Sequence, residues 1–322
     1  MMQPDPAHNR MRIDRETSAP WIEIAHKARI LQDLLAETEA ATPRSRFGEV
    51  DRFYPLESAE RWCRSYLSAA LEHLVMWADL VAPLKLHPEA ELHHSLRPAQ
   101  TLARAALESA SQAVWIMSAD HPRELARRHL SLVLEDWNEQ QKAAIDQNVR
   151  AALTSRRQAI LDVFEPVGIK LHAPSYLNLV TSAAETVRTT LDNTSVGDKA
   201  HVERLWRASA GSAHGKMWPS LELTTSVEVS GRTYSFPDPN AMAAMLSLAE
   251  AVTSFGVVRF VESCGRTAGF TARFKETAAR WYARVPKIPG APASLPTDFL
   301  DSGPFPADAT YHWDGEGPST SQ

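Results

Sequence analysis

The chain has 322 residues, 44% of them hydrophobic and 23% charged, enough for one large or two modest domains with a packed core. Its formal net charge is −5, and residues 286–322, with one Lys, four Asp and one Glu, carry most of it. The rest of the chain is close to neutral, which excludes the strong global basic charge of a non-specific nucleic-acid binder and leaves only a local basic groove open.

Helical periodicity dominates in chain order, and no internal repeat is visible. Residues 1–17 lack both periodicity and the apolar h-region of a secretory signal, and are expected to be disordered. A first helix is predicted from near Ser18 or Pro20 through "WIEIAHKARILQDLLAETEA". Residues 41–56 read as a loop, with Pro43, Gly48 and Pro55. A long second helix carries Ala59, Trp62, Cys63, Tyr66, Leu67, Ala70, Leu71 and Leu74 at spacings of three and four. A third spans about 97–117, with Pro98 in its first turn. Asp120 is the expected cap of a fourth, running from His121 to about Val149 and resuming toward Phe164.

After a break at 165–175, a fifth helix covers about 175–191. A sixth is capped by Asp198 and stopped by Gly215. Alternating residues over about 221–236, with Ser230-Gly231 at the turn, predict a β-hairpin. Asp238-Pro239 opens a helix to about Ser263, and a last one spans about 267–284. The run "AMAAMLSLAEAVTSFGVVRF" is apolar nearly all round with Glu250 in its middle, the pattern of a buried core helix rather than a membrane span. Beyond Val285, seven prolines and the end "DGEGPSTSQ" predict a mostly disordered tail, residues 286–322. The expected architecture is all-α, a multi-helix bundle over residues 18–285 with one small hairpin insertion. Cys63 and Cys264 read as reduced thiols in a cytoplasmic protein.

Three constellations bear chemistry. "RASAGSAHG", residues 207–215, places Arg207 and His214 about 10.5 Å apart along one stripe of a helix. Ser212 lies between them, and the small residues leave the backbone open to close approach by a ligand or a second helix. Alternatively, Arg207 makes an i,i+4 surface pair with Glu203, and His214 only complements the helix C-terminus. The second is Arg104 and Glu108, the charged pair of an otherwise apolar third helix. Glu108 either orients Arg207 or Arg127 near a pocket or belongs to a satisfied structural ion pair. The third is "RELARRHLSLVLEDW", where Arg123, Arg127, Arg128 and His129 either line an anion-binding groove with Arg204 and Arg207 or form a solvated face. There is no HExxH, CxxC, phosphate-binding Gly loop or GxSxG, so neither a metal nor a cofactor is expected.

An Arg followed after four to six residues by a His, on a helix of an all-helical domain, resembles the HEPN superfamily. Arg207 and His214 match that motif. The stretch "RAALESASQAVWIMSADHPRELARRHL" is similar to uncharacterised bacterial members of the group, and the resemblance covers about residues 57–218. It implies a helical bundle, often dimeric, and a metal-independent RNase of a toxin or defence system. In that chemistry the RNA 2′-OH attacks the adjacent phosphate, His214 acts as general acid or base, and Arg207 stabilises phosphate charge. Arg104, Glu108, Arg127, Arg128 and Ser212 would assist binding. The run "ASAGSA" would bring two such helices together in a homodimer. This chain departs from the pattern at Ala208, where active members carry a polar residue. The alternative is a non-catalytic helical module that binds a protein partner or a small anionic ligand.

Overall fold

A computed structural model describes residues 3–5, 10–13, 15–85, 94–193, 196–229 and 231–285. Eleven α-helices account for most of them, so the protein is an all-α helical bundle. The helices are α1 (Arg15–Glu37), α2 (Arg46–Phe53), α3 (Ala59–Val81), α4 (Leu96–Met117), α5 (Pro122–Ala143), α6 (Gln147–Phe164), α7 (Tyr176–Thr190), α8 (Lys199–Ala213), α9 (Trp218–Glu222), α10 (Pro239–Ser263) and α11 (Phe270–Tyr282). Strands β1 (Gln3–Asp5) and β2 (Arg10–Arg12) pair antiparallel, so the chain start carries a small hairpin, and α1 begins earlier than expected. Strands β3 (Thr224–Val229) and β4 (Arg232–Pro237) form the anticipated hairpin. The tail expected to be disordered lies outside the described residues.

The helix starts follow from local chemistry. Asp198 accepts from the His201 backbone N–H at 2.8 Å, and Asp238 accepts from that of Asn240 at 2.9 Å. At the start of α5 the cap is the His121 ring, not Asp120. Its Nδ1 accepts from the Glu124 N–H at 3.3 Å. The interruption expected near Val149 falls earlier, at Ala144, and Asp146 recaps the chain as α6. The segment expected as a loop at 41–56 contains α2. Ser45 caps it, and Phe47 and Val50 are buried beneath it.

Packing is organised on α4 and α10, which lie against each other and share α3, α7 and α8 as neighbours. The α10 helix is long and apolar enough to cross a membrane by length and composition, and 67% of its most apolar stretch is buried inside the bundle. The α1 helix packs on α3, α10 and α11. The α5–α6 pair builds its own apolar cluster from Leu130, Val133, Trp137, Leu153, Ile160 and Phe164. Cys63 and Cys264 are both buried and free, and burial pushes the Cys264 thiol up to about 12.

The C-terminus of α4 shows how arginines are used in the frame. Arg46 donates to the carbonyls of Met117, at 3.0 Å, and Ala119, and Arg128 donates to the carbonyl of Trp115 at 2.7 Å. These carbonyls have no partner within the helix, so two cations complete its end.

Candidate functional site

The α8 helix explains its own unusual composition. Ser209 bonds back to the Leu205 carbonyl at 2.9 Å, and the buried Ser212 hydroxyl donates to Gln100 Oε1 on α4 at 3.0 Å. A Cβ at Gly211 would stand 2.6 Å from Pro219 Cγ and 3.2 Å from Trp218 Nε1. The small-residue face is therefore filled by α4 and by α9 folding back. Gly211 is covered by Trp218 and Pro219, and Ser212 is committed to the interior rather than to a ligand.

Helix α8 ends in a tight turn. The Gly215 N–H reaches the Ser212 carbonyl at 3.1 Å, and the Lys216 N–H reaches that of Gly211 at 2.8 Å. Gly215 takes φ +69°, the left-handed conformation this helix stop requires. The turn exposes His214, Lys216, Met217 and Trp218. Arg97, also exposed, lies across them: its Nη2 donates to Ser220 Oγ at 3.2 Å, and its Nη1 is 3.6 Å from the position of a Gly215 Cβ. The corner thus joins three side chains that are or can be cationic to an exposed indole. Sequence reasoning found His214 but missed Arg97, Lys216 and Trp218. Gly215 followed by Lys-Met-Trp-Pro was the only local signal.

Arg207 and His214 both reach solvent on the same edge of α8. Arg207 is 57% exposed and pairs with Glu203 at 2.8 Å. No described side chain hydrogen-bonds the His214 ring. Glu108 orients neither Arg207 nor Arg127. It accepts from Arg104 Nε at 2.8 Å and from the Trp206 indole at 2.7 Å, with the Arg104 guanidinium 5.0 Å from the Trp206 ring centre. This trio locks α8 to α4.

The expected anion groove on α5 does not assemble. Arg127 and Arg128 both donate to Glu124, and the Arg127 bond, with help from Arg128, holds that carboxyl down at about 2. His129 is buried, and its Nε2–H donates to the Glu57 carbonyl at 2.9 Å. Burial pushes its ring down to about 4. None of these groups bonds to Arg207 or His214. Among the described residues, no cluster of His, Cys, Asp and Glu could hold a metal ion.

No family model, no curated protein and no solved structure matches the chain.

Proposed function

We propose that this protein is a non-catalytic helical module that binds an anionic ligand, the phosphate backbone of single-stranded RNA, at the α8–α9 corner. The observation that supports the reading is the corner itself. Arg97, His214 and Lys216 offer donors to phosphate oxygens, and Trp218 offers a face on which a base can stack. The near-neutral body makes the contact local rather than global. The other candidate polar groups, Arg104, Glu108, Arg127, Arg128 and Ser212, hold structural partners. None of these five bonds to the His214 ring to polarise it for a proton-transfer step.

The second reading is the HEPN-like metal-independent RNase. It is favoured by the joint exposure of Arg207 and His214 on one helix edge. One experiment separates the two. Fluorescently labelled single-stranded RNA is mixed with the full chain in EDTA, and both anisotropy and strand length are followed. The module binds intact RNA, weakens with salt, and loses about tenfold or more in affinity in the Arg97→Glu, Lys216→Glu double variant. Cleavage that His214→Ala abolishes would establish the RNase instead. No binding and no cleavage would dismiss both.

A further inference from the structure

The junction of α1, α3 and α11 buries a cation for which the protein supplies too few partners. Arg29 is 1% exposed. Its Nη2 donates to Asp79 Oδ1 at 2.8 Å and to the Ala82 carbonyl at 2.9 Å. Its Nη1 is buried and bonds to nothing. One turn earlier on α1, His26 is also buried, and its Nδ1 is likewise unpartnered. Its ring centre lies 5.3 Å from that of Tyr282, and the Arg29 guanidinium lies 5.9 Å from the Trp281 ring centre. Trp21, about two turns before Arg29 on the same side of α1, buries an indole N–H with no acceptor.

Buried polar groups are normally paired, so several orphans on one short length of helix need a cause. The Arg29 and Trp21 nitrogens only donate, and the His26 Nδ1 joins them in the tautomer that carries its N–H there. What is missing is an acceptor.

Its charge can be decided. Asp79 already offsets part of the Arg29 charge, Asp33 accepts from the Trp281 indole at 2.7 Å, Glu23 is paired with Lys27 at 3.1 Å, and Arg284 lies 4.2 Å from the Trp281 ring centre, so the surrounding charges nearly balance. A dianion would face these carboxylates. A single negative charge would complete Arg29 without excess. The rings of Trp281, with the Arg284 guanidinium 4.2 Å from its centre, and of Tyr282, packed on His26, border the junction with aromatic surface.

We propose that this junction is a binding site for a monoanionic carboxylate, its oxygens on Arg29 Nη1 and His26 and its body against Trp281 and Tyr282. The site is separate from the α8–α9 corner and stands whether or not that corner binds RNA.

The test uses the full chain labelled with ¹⁵N. Sodium benzoate, acetate, phosphate and chloride are titrated at constant ionic strength while the tryptophan indole resonances and the melting temperature are followed. Benzoate should move the Trp281 indole resonance saturably and raise the melting temperature. Acetate should do so more weakly, and phosphate no more than chloride. Arg29→Met should weaken benzoate at least about tenfold, whereas Arg207→Ala should leave it unchanged. If Arg29→Met does not fold, Arg29→Lys serves, since it keeps the charge but loses the planar fork, and it should still weaken binding. A wild-type protein indifferent to benzoate and acetate would overturn the proposal. So would a benzoate response that Arg29→Met retains, or Arg29→Lys where Met does not fold, or a phosphate response as strong as that to benzoate.

Discussion

Arg29 and Arg207 are the same side chain on two helices of one bundle, and they do opposite things. Arg207 stands on the rim of α8, 57% exposed, with Glu203 four residues away on its own helix. Arg29 sits in the frame, 1% exposed, and its partners Asp79 and Ala82 are about 50 residues distant in sequence. Around Arg207 the surroundings are water, so its pairing is worth little and can be exchanged for a ligand at little cost. Around Arg29 they are helix, so each bond counts and each missing bond is felt. The exposed arginine is free to recognise. The buried one stabilises the frame only as far as its partners are complete.

The largest way to break this contrast is pH. The buried half of the molecule carries His26 and His129, both held at about 4 mainly by burial, with the Arg29 cation adding to the effect on His26. The unfolded chain takes up their protons near 6.5, so between about pH 6.5 and 4 it binds more protons than the folded protein. Stability is therefore full above about 6.5, falls as the pH drops toward 4, and levels below that as far as these two groups are concerned. The loss is on the order of 3 kcal/mol for each histidine. Glu124, held at about 2 by Arg127 and Arg128, adds a separate loss at lower pH, below the usual carboxylate range. Urea midpoints measured from about pH 7 to 4 should fall steeply, and His129→Gln should flatten the slope. A flat profile would mean that both rings are solvated.

The second effect belongs to Arg29 itself. Arg29→Ala removes the bonds to Asp79 and Ala82 and leaves a hole between α1, α3 and α11, costing about 2–4 kcal/mol. Arg29→Met refills most of the volume. Asp79, at 63% exposure, is left in water rather than stranded, so Met should recover most of the loss. Chemical denaturation of the three proteins checks the order wild type, Met, Ala. Equal losses for Met and Ala would show that the charge, not the packing, holds the junction.

The same contrast explains what could be read from the sequence. The bundle was legible because apolar residues recur at helical spacing and because Asp198, Asp238 and Gly215 mark ends by local chemistry. The α2 helix was not. Gly48 and the nearby prolines look like a loop, and what holds the helix is burial of Phe47 and Val50 under distant elements. On the α8 rim, Arg207 and Glu203 were legible because both partners share one helix. Trp206 and Glu108 meet across 98 residues, and no local pattern encodes that bond. Arg29 was in plain view within "WIEIAHKARILQDLL", yet periodicity alone cannot say that α11 will cover the polar face of α1.

A third effect tests whether α8 gave up helix propensity for packing or for a ligand. If packing is the reason, Gly211→Ala should cost about 1–3 kcal/mol, because the added methyl meets the Pro219 ring at 2.6 Å and the ring cannot swing away. The roughly 1 kcal/mol that Ala gains over Gly within a helix offsets part of that, so the net loss is up to about 2 kcal/mol. A thermal melt decides the sign. A variant more stable than wild type would mean that α9 lifts easily and that Gly211 is kept for another purpose.

The smallest effect is the one the contrast predicts for Arg207. Arg207→Ala removes an exposed i,i+4 pair worth about 0.3–0.5 kcal/mol. It also replaces Arg by the best helix former, which returns part of that amount. Glu203 is left partly exposed rather than buried, so no stranded charge adds a penalty. The net change in urea unfolding should stay within about 0.5 kcal/mol, and raising the salt should shrink it further because solvent screens the pair. A loss of more than about 1 kcal/mol that persists at high salt would break the comparison. It would mean that the stem of Arg207 packs on the bundle and that this arginine, like Arg29, belongs to the frame. In that case the edge of α8 would present His214 alone, and the reading of Arg207 as a phosphate contact would fall with it.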